Sequence, residues 1–334
     1  VSVLLPVRNA AATLPAALDS LLGQTLAGLE VVAVDDGSTD GTPRVLAEYG
    51  RRDPRVRPLS LPHRGIVAAL AAAMAAARGE FLARMDADDL ARPERLARQA
   101  AALEADPGLG LVACRVEYGG DRLACGGYAR YVDWTNSLLT PEQIGLNRFV
   151  ESPLAHPSVM FRAGVVREHG GYREGPFPED YELWLRWLEA GVRMRKLPEA
   201  LLVWADPPGR LSRVDGRYSP AAFAAVKAGY LARWLARHNP RHPEVVVAGA
   251  GRITRQRVEP LCGLGVRIAA YLDVDPRKVG RTVHGRPVLH REQVPGPGEC
   301  FVLSAVGSHG AREDIAAFLE ARGFVLGESW LPVG

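Results

Sequence analysis

The sequence predicts an α/β protein: a mostly parallel sheet flanked by helices on both faces, followed by a second, smaller βαβ domain. Three observations carry this. Short apolar runs alternate with helical stretches through the first hundred residues. Those runs are continuously apolar rather than alternating, as strands covered on both faces are. The same alternation restarts at Val245, after a polar stretch (237–244) that carries two prolines. A length of 334 residues, 47% hydrophobic and 24% charged, suits two globular domains, which the restart places at 1–240 and 245–334.

The elements follow in order. Residues 1–5 read as a strand and 11–22 as a helix; 29–34 is a second strand. Thr42-Pro43 opens a helix, with Thr42 as N-cap and Pro at the first position. A strand at 56–59 leads to an Ala-rich helix bracketed by Arg64 and Arg78, then a strand at 80–84 and a helix at 93–105. In such sheets ligands bind beyond the carboxyl ends of the strands. After Val116 the alternation breaks, and 117–140, rich in Gly, Tyr and Trp, reads as an irregular excursion. A helix over 180–190 carries Tyr181, Trp184, Leu185 and Leu188 on one face, and another runs over 220–238. In the second domain a strand from Val245 ends in Gly249-Ala-Gly251, and a strand at 266–272 ends in Asp273. A third strand (301–305) and a helix (311–322) complete it.

Composition excludes several classes. The net charge of +3 gives no electrostatic case for nucleic acid. Only Lys196, Lys227 and Lys278 are lysines among 41 basic residues, a bias that fits GC-rich coding. Cys114, Cys125, Cys262 and Cys300 lie far apart without metal-ligand spacing, which points to a reducing cytoplasm rather than a disulfide or zinc scaffold. No run reaches the roughly 18 apolar residues of a membrane span, and the N-terminus lacks the basic start of a signal peptide.

Three acidic constellations fall where chemistry is expected. Val34-Asp-Asp-Gly-Ser-Thr-Asp-Gly41 closes the second strand; it is either a hydrophilic turn or a carboxylate, Asp36, that accepts from a nucleotide base. Met85-Asp-Ala-Asp-Asp89 follows the fourth strand. In extended geometry Asp86 and Asp88 point the same way and converge on a hard cation, Mg2+ or Mn2+, while Asp89 also suits a helix cap. Pro178-Glu179-Asp180 opens the aromatic helix; its acids either complement the helix dipole or supply a general base raised by partial desolvation.

In this order and spacing VSVLLPVRN, VVAVDDGSTDGT, RMDADD, HPSVMFR and PEDYELWLRW resemble the inverting nucleotide-sugar glycosyltransferases of family 2, with the GT-A fold, over about residues 1–215. The resemblance implies hexosyl transfer from a nucleotide-diphosphate sugar, with a uracil-type base on Asp36 and Pro6, Val7, Arg8 and Asn9 walling the nucleotide. It further implies Asp86 and Asp88 holding donor and Mn2+ or Mg2+, with Asp88 as the direct ligand, and Asp180 as catalytic base supported by Glu179. The implied acceptor is a glycan, a lipid-linked sugar or a small molecule. Arg64, and Arg210, Ser212 and Arg213 in 207–213, are candidates to reach the diphosphate, and His156 matches a position near acceptor or sugar. Ala71 stands where members often carry Asn. Trp134 is a candidate for peripheral contact at the inner membrane face.

The C-terminal segment resembles small Rossmann-like units that accompany sugar-modifying enzymes. Gly249, Gly251 and Asp273 approach the dinucleotide fingerprint, with Thr254 in place of the third glycine. This segment either binds a nucleotide or sugar nucleotide or packs as an oligomerisation module, which keeps a homo-oligomer in view. Gly307-Ser-His-Gly310 offers a second candidate anion loop. Two other functions stay open: a nucleotidyltransferase, disfavoured because PVRNAAATL lacks a Gly-rich loop, and a sugar-nucleotide sensor without catalysis.

Overall fold

A computed structural model describes residues 1–308 and 310–334. The 307–310 loop expectation therefore falls in part on His309, which lies outside the described residues. The described chain divides into two compact units, 1–144 with 154–215, and 145–153 with 216–334. The polar segment 237–244 thus lies inside the second unit, where Asn239 Nδ2 donates to the Glu244 carbonyl at 2.8 Å.

In the first unit β1 (Ser2–Val7), β2 (Glu30–Asp36), β3 (Val56–Leu61) and β4 (Phe81–Arg84) are linked by α1 (Leu14–Leu22), α2 (Thr42–Arg52) and α3 (Ile66–Ala76). Then follow β5 (Leu90–Ala91), α4 (Arg95–Ala105), β6 (Leu109–Tyr118), α5 (Gly126–Ser137) and α6 (Pro141–Asn147), the last crossing the division. β7 (Val159–Arg162), α7 (Ala163–His169), α8 (Glu179–Glu189), β8 (Arg193–Trp204) and α9 (Leu211–Val214) complete the unit. The eight strands form one sheet in the order β3-β2-β1-β4-β7-β6-β8-β5. β3, β2, β1 and β4 pair in parallel, as expected of βα units. β7 then enters antiparallel between β4 and β6, while β8 runs parallel to β6. Val3, Leu4, Leu5, Val31, Val32 and Ala33 are fully buried, so β1 and β2 need apolar side chains on both faces. Edge strand β3 instead alternates buried and open positions.

The stretch 117–140 is more regular than its composition suggests: β6 extends to Tyr118, and α5 occupies 126–137 with Ala129 and Val132 facing the core. Gly and aromatic residues weaken the helical signal there, but burial of one face outweighs propensity. At α2 the expected Thr42 cap is replaced: Asp40 Oδ1 accepts from Thr42 N at 2.9 Å, and Thr42 Oγ1 accepts from Ala10 N at 2.8 Å. No helix among the described residues is long and apolar enough to cross a membrane, and the four cysteines are unpaired.

The second unit carries α10 (Pro220–His238), β9 (Glu244–Ala248), α11 (Arg252–Cys262), β10 (Arg267–Asp273) and β11 (Thr282–Val283), then β12 (Arg286–His290), β13 (Val302–Ser304), α12 (Ala311–Ala321) and β14 (Trp330–Pro332). Its sheet order is β11-β12-β10-β9-β13-β14, parallel except for the β11–β12 pair. The strand order reverses direction between β9 and β13, as in doubly wound sheets.

One buried side chain fixes the end of β4. Arg95 of α4, fully buried, donates from Nη2 to the Arg84 and Pro157 carbonyls, both at 2.6 Å, and from Nε to Gln99 Oε1 at 3.1 Å. Gln99 in turn donates to the Ser158 carbonyl at 2.8 Å. Charged donors to carbonyls are worth about 1.5–3 kcal/mol each, and an orphaned buried carbonyl costs a similar amount. Arg95→Met is therefore expected to destabilise the chain by about 3 kcal/mol, read as a lower urea midpoint by tryptophan fluorescence.

Candidate active site

The site lies at the carboxyl ends of β1, β2 and β4. The turn after β1 and the loop after β2 are laced together. Asn9, at φ 49°, donates its N–H to Ser38 Oγ at 2.9 Å and accepts from Thr39 N at 2.9 Å, and Ala11 N reaches Asp40 at 3.1 Å. Gly37, at φ +67°, is required: a Cβ there would lie 2.6 Å from His63 N. Pro6 is half-buried and Arg8 and Asn9 are exposed, but the Val7 side chain is 2% exposed and packs in the core, leaving only its backbone for a nucleotide wall.

Asp36 is buried and heavily engaged. Its Oδ1 accepts from Arg64 N at 2.7 Å, and its Oδ2 accepts from Gly65 N at 2.9 Å and stands 2.8 Å from His63 Nδ1. His63 Nε2 lies 2.7 Å from Arg8 Nη1, so Arg8 donates to the ring and the ring donates to Asp36. The carboxylate thus caps the approach to α3, where helix N–H groups favour an anion. A base N–H reaching Asp36 has to share or displace the His63 bond. The Arg64 side chain and Ala71 are exposed.

Residues 85–89 form a turn rather than extended chain, so alternation is not what gathers the acids. The turn itself brings single oxygens of Asp86, Asp88 and Asp89 within 4.8 Å of one another. Asp89 does not cap a helix: it is 1% exposed, its Oδ1 accepts from Ala205 N at 2.8 Å, and its Oδ2 has no partner among the described residues. Asp86 pairs with the guanidinium of Arg84, itself 1% exposed. Burial, then the Asp86 charge, pushes Asp88 up to about 6, and the same causes raise Asp89 well above the carboxylate range. Crowded, partly desolvated carboxylates with an orphan oxygen are a donor set that fits a hard divalent cation.

The second acidic pair opens α8. Glu179 is 2% exposed; Asp180 is partly accessible and accepts from Tyr181 N at 2.7 Å. Enclosure, then the Glu179 charge, pushes Asp180 up to about 7, against the pull of Arg84. α8 is anchored by Arg186, whose guanidinium donates to Gly170 O at 3.0 Å and Gly171 O at 2.6 Å, and by Trp187 Nε1 to Gly170 O at 3.0 Å. His156 is buried, with Nε2 2.7 Å from Tyr172 Oη. Burial, then the Arg84 charge, holds the ring well below its ordinary pKa. Its 3.9 Å approach to Glu179 is therefore not an ion pair.

The segment after β8 is docked rather than loose. Asp206 accepts from Arg213 Nη2 at 2.6 Å and from the Tyr118 hydroxyl, with Arg210 Nη1 3.7 Å away. The Arg210 guanidinium stacks 4.0 Å from the Trp204 ring centre and 5.0 Å from that of Tyr128, whose hydroxyl meets Ser212 Oγ. Arg213 is thus matched by Asp206, and Arg210, together with Arg84, is a cation whose field lowers Asp88. Trp134 is half-buried, 6.0 Å from Tyr131 and packed on the core rather than exposed.

Sequence reasoning missed Arg84, Tyr172 and Asp206, and read Asp89 only as a helix cap. Arg84 had a signal: it is the one charged residue of the otherwise apolar strand FLAR. Tyr172 has none, because its partner His156 stands 16 residues earlier; Asp206 had one in Arg210 and Arg213, four and seven residues on, although its third partner Tyr118 is distant.

In the second unit Gly249 takes φ +98° and Gly251 precedes α11, as a dinucleotide loop requires. Asp273, however, is used internally. One oxygen accepts from Ala250 N and Lys278 Nζ at 3.0 Å, the other from Val274 N and Asp275 N at 2.9 Å. No oxygen is left for a ribose hydroxyl.

The model of the family described as "Glycosyl transferase family 2" matches residues 2–170. The Bacillus subtilis protein EpsE is 32% identical over 228 residues, 66% of this chain and 77% of EpsE. The amylovoran biosynthesis glycosyltransferase AmsE of Erwinia amylovora is 30% identical over 190 residues, 55% of this chain and 67% of AmsE. Among solved structures, S. aureus TarS 1-349 in complex with UDP-GlcNAc shares the fold at a TM-score of 0.52 and 19% identity, over 70% of this chain and 72% of that one.

Asp206→Asn removes the charge that holds Arg213 and Arg210. Cleavage by trypsin after these two arginines is expected to become several-fold faster, with the global unfolding midpoint little changed. An unchanged cleavage rate would show that the aromatic stacking suffices.

Proposed function

The chain belongs to glycosyl transferase family 2, and from that premise we propose that it transfers a sugar with inversion from a nucleotide-diphosphate donor, a UDP-sugar first, to an acceptor hydroxyl. The observation that carries the reading is the convergence of the 86–89 turn and the start of α8 on one buried cation, Arg84, whose charge bears on Asp86, Asp88, Asp89 and Asp180 alike.

Asp180 takes the proton from the attacking hydroxyl. A carboxylate pushed up to about 7 is a stronger base than an ordinary one and is still about half ionised at neutral pH. Glu179 keeps that basicity high and orients the helix start. One displacement inverts the anomeric carbon, so no second carboxylate nucleophile is needed. Asp88, with the orphan oxygen of Asp89, would hold Mn2+ or Mg2+. When bound, the cation supplies charge neutralisation for the leaving diphosphate. Arg210, one of the three candidates in 207–213, adds positive charge on the same side. Pro6, Arg8, Asn9 and Asp36 form the nucleotide end, with His63 setting the orientation of Asp36. The family match ends at residue 170, so the base assignment rests on the PEDYELWLRW resemblance and on this geometry. The acceptor is a glycan, a lipid-linked sugar or a small molecule. The family membership sets aside the nucleotidyltransferase reading.

A transfer and donor-hydrolysis assay across UDP-, GDP- and dTDP-sugars with Mn2+ tests the activity. Asp180→Asn is expected to lower turnover about 10²- to 10⁴-fold while UDP binding by calorimetry survives; equal loss of both would remove the base role. Asp88→Ala is expected to abolish the Mn2+-dependent part of UDP binding, measured with and without metal.

The pH dependence has a definite sign. Asp180 has a raised pKa, so below about 7 it is protonated and the base is lost; above that it is fully available. The kcat/KM profile is expected to rise through pH about 7 and level off, and the residual activity of Asp180→Asn to lack that limb.

A further inference from the structure

The first unit accounts for the proposed chemistry and leaves the second without a role. Its sheet reverses strand order between β9 and β13, where doubly wound sheets bind ligands. Three cations gather at the carboxyl ends of β13 and its neighbour β14. Arg257 of α11 donates to the Ala305 carbonyl at 3.3 Å, just past β13. Its guanidinium occupies the space over Gly307, where a Cβ would lie 2.3 Å from Nη1. Arg312, in the first turn of α12, has a buried Nε with no partner among the described residues. Lys227 of α10 is 7% exposed, with Nζ 2.7 Å from the Val333 carbonyl.

One carboxylate, Glu151, interacts with all three. Glu313 also bears on Arg312, but it caps Gly310 N at 2.7 Å. Burial and mutual repulsion work against the positive charges, lowering Arg312 and bringing Lys227 to about 8. Like charges crowded in a partly desolvated place are costly unless an anion joins them. Asp273 is occupied by backbone and Lys278, which removes the ribose contact of a dinucleotide.

From this arrangement we propose that the second unit is a binding site for a phosphate-bearing anion, held by Arg257 and Arg312 at the start of α12. The anion is a phosphate or pyrophosphate group on a small ligand rather than a dinucleotide. Planar guanidinium groups take two phosphate oxygens each, which suits Arg at both positions. The site is independent of the metal-linked donor site.

Inorganic pyrophosphate in the presence of EDTA is the probe, titrated calorimetrically into the full chain. Metal-free binding of one equivalent is expected, weakened at least tenfold by Arg312→Gln and by Gly307→Ala, which drives Arg257 from its place. Arg210→Gln is expected to leave it unchanged. Should Arg312→Gln fail to fold, Arg312→Lys keeps the charge but loses the bidentate contact, and a several-fold weakening is expected. Absence of metal-free binding, binding insensitive to the Arg312 and Gly307 substitutions, or binding lost in Arg210→Gln instead overturns the proposal.

Discussion

A single buried guanidinium organises the first unit. Arg84 ends β4 at 1% exposure, where an unpaired cation would cost several kcal/mol. Its carbonyl is held by Arg95, and its charge is matched by Asp86 and felt by Asp88, Asp89 and Asp180. The dependence runs both ways. Without Arg84 the acids of the 86–89 turn and of α8 would face one another uncompensated; without the acids the guanidinium could not stay buried. Asp180 is raised by enclosure and by Glu179, while Arg84 pulls against the rise, so the carboxylate is only partly protonated near neutrality. His156, neutral and bonded to Tyr172, adds no charge to this balance.

Both sheets place an aspartate at the end of a central parallel strand, and both use it to fasten the backbone. Asp36 fixes the 64–65 backbone ahead of α3, and Asp273 fixes Ala250 and the 274–275 turn. The difference lies in the next layer. Asp36 is reached through His63 and Arg8, side chains open to a ligand, whereas Asp273 is closed by Lys278. A strand-end carboxylate is a position; its remaining lone pairs decide whether it is also a binding group.

Several features were legible in the residues alone. The parallel half of the first sheet follows from continuous apolar runs, and α10 lies over 220–238 as expected, with the structure adding Ser219 Oγ, which accepts from Ala222 N at 3.3 Å, as its cap. The acidic motifs mark the strand ends where the candidate site lies. Other features were not legible. Antiparallel β7 enters the sheet through pairing with β4 and β6, far apart in sequence. Arg210 and Arg213 are equivalent in a list of residues, and only Asp206 and Trp204 separate them. The order of the chain also hides that 145–153 packs with the second unit.

By itself the sequence determined the alternation of strands and helices, the family motifs and which acids close the strands and open α8. These are consequences of local period and spacing, which a linear string carries. The tertiary structure decided how the acids meet: a turn at 85–89 where alternation suggested extended chain, a third carboxylate in Asp89, and a cation beneath them in Arg84. Those depend on burial and on partners distant in the chain, and the ionisation of a carboxylate depends on both.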